Sequence, residues 1–325
     1  MIISQTPVRM SFFGGGTDFP EFFREHTGAV ISTTFDKYCH VNVRELPDMF
    51  DYKTYLSYAQ IEKVNSVDEI KHPAIRNAMK WLNLEKICLN YDADLPSKTG
   101  LGTSSAFSVG LLNALYTMQG INKTKRELAD DAIYLERILC NEDGGIQDQI
   151  AAAFGGFIRI DFSSEGYTVT PLEISEERKQ MLNRNLLMFF TGLSRFSFEI
   201  QKSAKHDMRK KTKELLGILK MVDDAENILV NPSQPLDDFG RLLNETWLLK
   251  RSISHKISTD MIDELYSKAI NAGALGGKLL GAGGGGCLLF YVPEEQQKNV
   301  RSALSGLVEI KFNFENEGTK IIVNN

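Results

Sequence analysis

Cysteine and histidine are scarce in this sequence. The four cysteines, Cys39, Cys88, Cys140 and Cys287, lie far apart with no CxxC pair, and the five histidines form no HxxxH or HExxH pair. That spacing excludes a structural zinc site, a disulfide framework and the zinc-hydrolase pattern, and the cysteines read as reduced core residues. Long apolar runs are missing too. The most apolar later run, Leu186 to Phe190, is far too short to cross a bilayer, and the opening MIISQTPVRMSFFGGG has no basic segment followed by an apolar stretch of signal-peptide length. The expectation is a cytoplasmic protein with no membrane partner. Basic charge is neither abundant nor massed: the formal net charge is -5, with Lys and Arg scattered, so the footprint that counterion release on nucleic acid needs is absent. There is no GxxxxGK[ST] phosphate loop; the nearest approach, Gly276-Gly277-Lys278, runs into Leu279. Internal repeats, Pro-rich linkers and low-complexity tracts are lacking as well, apart from clusters of glycine.

What remains is an ordinary globular composition, 42% hydrophobic and 24% charged over 325 residues, which suits two closely packed domains. Ala29 to Arg44 has the Val, Ile, Thr and aromatic content of a strand pair, and Asp68 to Leu82 has apolar residues at helical spacing. Thr124-Lys-Arg-Glu127 is a capping box, predicting a helix over 124–139. Asn185 to Thr191 is a short run, apolar from Leu186 to Phe190 and ending at Gly192, which suits a buried central strand. The domain boundary is expected just before it, near Arg178 to Arg184, giving segments 1–182 and 183–325. Helices are expected over 194–228, 236–255 and 258–271. A strand follows over 287–292, and a hairpin pairs 308–314 with 319–323 across Glu-Asn-Glu-Gly. Both halves are therefore α+β.

Three glycine-rich segments carry the chemistry. The first is Lys98-Thr-Gly100-Leu101-Gly102-Thr103-Ser104-Ser105-Ala106, leading into an amphipathic helix over 107–118. The first amides of a helix lack internal partners and carry the positive end of its dipole, so such a loop cradles phosphate oxygens; alone, it is equally an N-cap turn. In the second, Pro7 to Asp18, a strand bearing Arg9 runs through Gly14, Gly15 and Gly16 to Thr17 and Asp18. Glycines there let a ligand approach the backbone and Asp18 can accept from hydroxyls, although a strand turning through Gly and Asp would look the same. The third, Lys278 to Phe290, has glycine at five of the six positions 281–286. A structural turn needs one or two, which favours a loop that wraps a ligand. Glu136, on the polar side of its helix, and Asp148, opening the next, read in isolation as surface and cap.

In this order the three segments resemble the motifs of the GHMP kinases, the superfamily of galactokinase, homoserine kinase and mevalonate kinase, across nearly the whole chain. The resemblance implies an N-terminal domain like the second domain of a ribosomal small-subunit protein and a ferredoxin-like C-terminal domain. By matching residues it makes Lys98, Gly100, Leu101, Gly102, Thr103, Ser104 and Ser105 the cradle of ATP and gives Mg2+ the ligands Ser104 and Glu136. It makes Asp148 the base and Arg9 the cation, and assigns Gly14, Gly15, Gly16, Thr17, Asp18, Gly283 and Gly284 to the sugar. The Gly-Gly-Gly-Thr-Asp form, with Phe-Pro-Glu-Phe-Phe and Phe35-Asp-Lys-Tyr38 after it, looks like the heptose 7-phosphate kinases and bacterial fucokinases, which phosphorylate an anomeric hydroxyl. The heptose branch implies cations for a distal phosphate, with Lys37 and Arg195 as candidates. A sugar or sugar phosphate and ATP are then the expected partners, with room for a homodimer. Other readings are a fucokinase-like or other small-molecule kinase, an ATP-dependent decarboxylase of the superfamily, and a non-catalytic regulator that binds ATP and sugar.

Overall fold

The computed structural model describes residues 1–97, 99–193, 211–254 and 256–325. Lys98, Arg195 and the first part of the helix expected from Ser194 lie outside the described residues. In chain order the elements of the first lobe are β1 (Ile2–Phe13), α1 (Pro20–His26), β2 (Gly28–Glu45), β3 (Thr54–Ser57), β4 (Ile61–Val64), α2 (Pro73–Trp81), β5 (Ile87–Ala93), α3 (Thr103–Met118), α4 (Lys125–Tyr134), α5 (Gln147–Phe154), β6 (Ile158–Ser163) and β7 (Gly166–Pro171). There follow α6 (Glu176–Asn185), β8 (Leu186–Phe190), α7 (Thr212–Val230), α8 (Asp237–Ile253), α9 (Asp260–Asn271), β9 (Gly276–Leu279), β10 (Cys287–Tyr291), α10 (Gln297–Ala303), β11 (Val308–Glu309), β12 (Phe314–Glu315) and β13 (Lys320–Asn324). A nine-stranded sheet with the backbone order β13-β1-β2-β5-β3-β4 carries the first lobe, and a four-stranded antiparallel sheet, β11-β8-β10-β9, carries the second.

Local chemistry explains where the elements depart from the periodicity. Residues 29–44 are not a strand pair but part of one 18-residue strand, β2, which contains no Gly or Pro after its first residue and pairs with β1 between Ile31 and Val43. The pairing jumps from Pro7↔Tyr38 to Val8↔Phe35, so Asp36 and Lys37 are extra residues beside a proline that has no N–H to give the ladder. The helix expected over 68–82 divides. Val67–Glu69 makes one 3-10 turn, and α2 starts at Pro73, whose ring fixes the first helical position and keeps His72 extended. The helix over 107–118 extends back to Thr103 and is not amphipathic: Phe107, Val109, Leu111, Leu112, Ala114 and Leu115 are all buried, because α3 is the core helix of its lobe.

The capping box at Thr124 is present, with the hydroxyl accepting from the Glu127 amide and the Glu127 carboxylate from the Thr124 amide. Regular winding ends at Tyr134, and Leu135–Leu139 forms a π turn closed by Cys140 N–H to the Leu135 carbonyl at 2.8 Å. The expected hairpin near the end does not form. β11 joins β8 in the second sheet, β12 joins β2 and β13 joins β1 in the first, since both sheets leave an edge for this stretch to complete. The segment 183–325 therefore ends in the first lobe's sheet. The central position of β8, between β11 and β10, agrees with its apolar sequence.

Candidate active site

A cleft of about 710 Å3 is lined by all three glycine-rich segments. Gly100 and Gly102 take left-handed conformations, φ +80° and +72°, which turn the chain from the end of the β5 strand connection into α3. No side chain caps α3, so the amides of its first turn at Thr103, Ser104 and Ser105, all on the cleft wall, keep the donor capacity of an open helix end. Leu101 sits behind them in the core, its carbonyl accepting from Arg9 N–H at 3.1 Å.

The third segment lines the cleft at Gly281, Ala282, Gly283 and Gly285, and it also packs on the first. A methyl on Gly100 would lie 2.3 Å from the Leu280 carbonyl oxygen, and one on Gly281 would lie 2.6 Å from the Gly100 Cα. The two loops touch backbone to backbone, and Cys287 N–H reaches the Thr99 carbonyl at 3.0 Å. Glycine is required here for loop-on-loop packing that buttresses the phosphate cradle. Gly283 faces the cleft, whereas Gly284 is buried and donates its N–H to Ile257 O at 2.9 Å.

Arg9, near the end of β1, meets Asp148, in the first turn of α5, as a fork on a carboxylate: Nε to Oδ1 at 2.8 Å and NH2 to Oδ2 at 2.6 Å. Its third nitrogen, NH1, donates to the Gly100 carbonyl at 2.6 Å, tying the pair to the glycine loop before α3. The Arg9 side chain is 5% exposed and that of Asp148 25%, so the carboxylate is the open member. Asp18 is buried beside them, accepting from Gly16 N–H at 2.9 Å and Gln147 N–H at 3.4 Å; burial pushes its carboxyl above the usual range, assisted by the neighbouring Asp148 charge. Gly14 and Thr17 serve the turn instead. The Thr17 hydroxyl donates to the Gly14 and Ala29 carbonyls, each at 2.9 Å, and neither residue lines the cleft. Gly15 and Gly16 do.

Glu136 is not on a solvated face. The π turn brings Leu135 and Glu136 inward together, leaving Glu136 2% exposed at the base of the cleft. Oε2 accepts from Ser105 Oγ at 3.1 Å and from the Gln149 amide, with an Arg137 nitrogen 3.6 Å away and the Ser108 hydroxyl beside the carboxylate, while Oε1 is buried with no hydrogen bond of good geometry. Burial raises its carboxyl above the ordinary value, against the lowering effect of Arg137. The buried Glu136 oxygen and the exposed hydroxyl of Ser104 line the same cleft, and hard oxygens of this kind suit Mg2+. Among the described residues there is no group of three His, Cys, Asp or Glu that could hold a metal.

Lys37 is not part of this site. As one of the two extra residues of β2, it turns away to a separate groove, paired with Asp36 at 3.2 Å. Many cleft residues escaped the sequence reading, and four polar ones bear on the site's chemistry. Lys278 Nζ donates to the carbonyls of Ser11 and Phe12 at 2.8 and 2.6 Å, joining β9 to the end of β1, and burial pushes its amine well below the ordinary value. A lysine within the apolar Gly-Gly-Lys-Leu-Leu run was the available signal. Lys250, in the last turn of α8, donates to Gly281 O at 2.8 Å, and burial pushes its amine down to about 8. A lysine at a helix end looks like ordinary dipole compensation, so nothing marked it. Ser11 and Gln147 also line the cleft, each hidden in the sequence beside a more conspicuous residue.

Two family models match the chain: GHMP kinases N terminal domain over residues 69–156, and GHMP kinases C terminal over residues 225–309. The chain is 31% identical to D-glycero-alpha-D-manno-heptose 7-phosphate kinase of Campylobacter jejuni subsp. jejuni serotype O:2, over 98% of both chains. It is 23% identical to the bifunctional fucokinase/GDP-fucose pyrophosphorylase of Arabidopsis thaliana, over 96% of this chain and 32% of that one. Among solved structures, a D-glycero-D-manno-heptose 1-phosphate kinase from Bacteroides thetaiotaomicron superposes with a TM-score of 0.79 over 100% of both chains at 22% identity, a likeness of fold.

Proposed function

We infer the reaction from one premise: the chain belongs to the GHMP kinase family and is a sugar kinase that draws its phosphoryl group from ATP. The acceptor we propose is D-glycero-D-manno-heptose 7-phosphate, phosphorylated at the anomeric hydroxyl to the 1,7-bisphosphate. The full-length identity to an enzyme of that name supports the acceptor. The observation that carries the chemistry is the Arg9–Asp148 fork anchored to the carbonyl of Gly100.

A carboxylate has about four acceptor positions, and Arg9 uses two, so Asp148 retains lone pairs on its exposed side for the substrate hydroxyl. In the proposed step the hydroxyl proton passes to Asp148 as the oxygen bonds to the γ-phosphorus. The bond from that phosphorus to the bridging oxygen breaks, leaving ADP. Arg9 orients the base and, with the amides at the start of α3, offsets charge on the transferring group; phosphoryl transfer asks mainly for such positioning and charge compensation. Ser104 and Glu136 are the proposed Mg2+ ligands, and the ion would neutralise charge on the phosphates. Gly15, Gly16, Asp18 and Gly283 are proposed to face the sugar.

A fucokinase-like reading has one observation in its favour: Lys37, a cation expected to meet a distal phosphate, lies outside the cleft. An ATP-consumption screen against heptose 7-phosphate, fucose, galactose, mannose and mevalonate, with the new phosphate located by phosphorus NMR, separates the readings. Heptose 7-phosphate is expected to give the highest kcat/KM and an anomeric phosphate; a higher value for unphosphorylated fucose would overturn the proposed acceptor.

A further inference from the structure

Three side chains from three elements converge over Gly15, on the first-lobe side of the cleft. Taking the point where a methyl on Gly15 would sit, Lys250 Nζ lies 3.7 Å away, Ser11 Oγ 3.8 Å and Gln147 Nε2 3.9 Å. Gly15 leaves that floor open. All three line the cleft, next to Asp18 and Asp148. Ser11 is 5% and Gln147 9% exposed, yet Ser11 Oγ and Gln147 Oε1 have no hydrogen-bond partner. Leaving buried polar atoms unpaired carries a penalty that a ligand with matching groups removes.

The unpaired atoms say what that ligand carries. The Gln147 side-chain oxygen can only accept and needs a donor, whereas Lys250, which already donates to Gly281 O, has further N–H bonds to give to an acceptor. A hydroxyl satisfies both at once. A phosphate dianion offers no donor and would face the carboxylates of Asp18 and Asp148. We propose that Lys250, Ser11 and Gln147 form a subsite that reads ring hydroxyls of the acceptor next to the one phosphorylated, with Lys250 as its specificity-determining residue. This rests on the sugar-kinase reading and adds a recognition element from the second lobe, because α8 and the loop at Gly281 hold Lys250 over a floor built by the first.

The test compares wild type with Lys250→Met, which keeps side-chain length and removes the charge. The substrates are heptose 7-phosphate, the unphosphorylated heptose and their monodeoxy analogues. A hydrogen bond to a charged group predicts a rise of about 10- to 100-fold in acceptor KM, with the KM for ATP and kcat within about twofold. The wild-type preference for the parent sugar over at least one deoxy analogue should collapse in the variant, and the loss should be equal with and without the distal phosphate. A fall in kcat at unchanged KM, unchanged deoxy ratios in a variant that melts like wild type, or an effect confined to the phosphorylated sugar would each overturn the subsite. If Lys250→Met does not fold, Ser11→Ala and Lys250→Arg are read for the same ratios. Calorimetry separates the two layers: wild type that binds none of these sugars sinks the heptose acceptor, whereas normal wild-type turnover with unmoved ratios sinks the subsite alone.

Discussion

Glu136 and Asp148 are carboxylates on neighbouring helical segments, and their surroundings differ in the way that separates roles. Glu136 is enclosed, has one oxygen without a donor, and has its nearest cation at 3.6 Å. Asp148 is clamped by an arginine through both oxygens and keeps an open side on the cleft. The unpaired oxygen of Glu136 leaves a position at which the proposed cation would bind. At Asp148 the charge is already met, leaving lone pairs for a proton. Two carboxylates in one cleft are assigned by environment, not by residue type.

The largest expected effect breaks the Asp148 side of this contrast. Asp148→Asn should lower kcat by about 10²- to 10⁴-fold while ATP and sugar affinities, read by calorimetry, stay within a few-fold. Near-normal turnover would remove Asp148 as the base. The Glu136 side responds differently. Glu136→Gln removes the charge but keeps the shape, and the Mg2+ concentration for half-maximal activity should rise at least about tenfold, with sugar binding unmoved. An unchanged Mg2+ titration would mean that the unpaired oxygen faces no metal.

The contrast itself could not be read from the sequence. The capping box, β8 and the order of the three glycine-rich segments were legible, because each is a local pattern of residue type and spacing. Taken alone, Glu136 looks like a solvated helical residue because 3.6-residue periodicity assumes a regular helix, whereas the π turn shifts the face by one residue. Lys37 lies in a separate groove as one of two β2 residues skipped in the pairing with β1, a register jump that no local pattern announces. Lys250 left no signal: its meaning comes from Gly281, 31 positions away. The destinations of the last strands were likewise set by sheet edges far off in sequence.

Between the two lobes a smaller effect follows from Lys250. Burial lowers its amine to about 8, so the free enzyme carries the cation below that pH and loses it above. The profile of kcat/KM for the sugar should therefore bend downward near pH 8, by up to about tenfold per further unit, and this bend should vanish in Lys250→Met. A bend that persists in the variant would assign it to another group.

The smallest effect sharpens what positions Glu136. The helix leading to it starts at the Thr124 capping box, three turns before the π turn, and Thr124 is exposed and far from the cleft lining. If the inward turn of Glu136 is set locally, by the widened winding over 135–139 and the Ser105 and Gln149 donors, fraying the start of the helix should leave the site intact. Thr124→Ala removes the hydroxyl that accepts from the Glu127 amide, and urea denaturation should show a loss of about 1 kcal/mol. Half-maximal Mg2+ and kcat should match wild type. A shifted Mg2+ requirement would mean that the whole helix acts as one rigid lever, and that the buried carboxylate owes its place to the N-terminal cap as much as to the π turn.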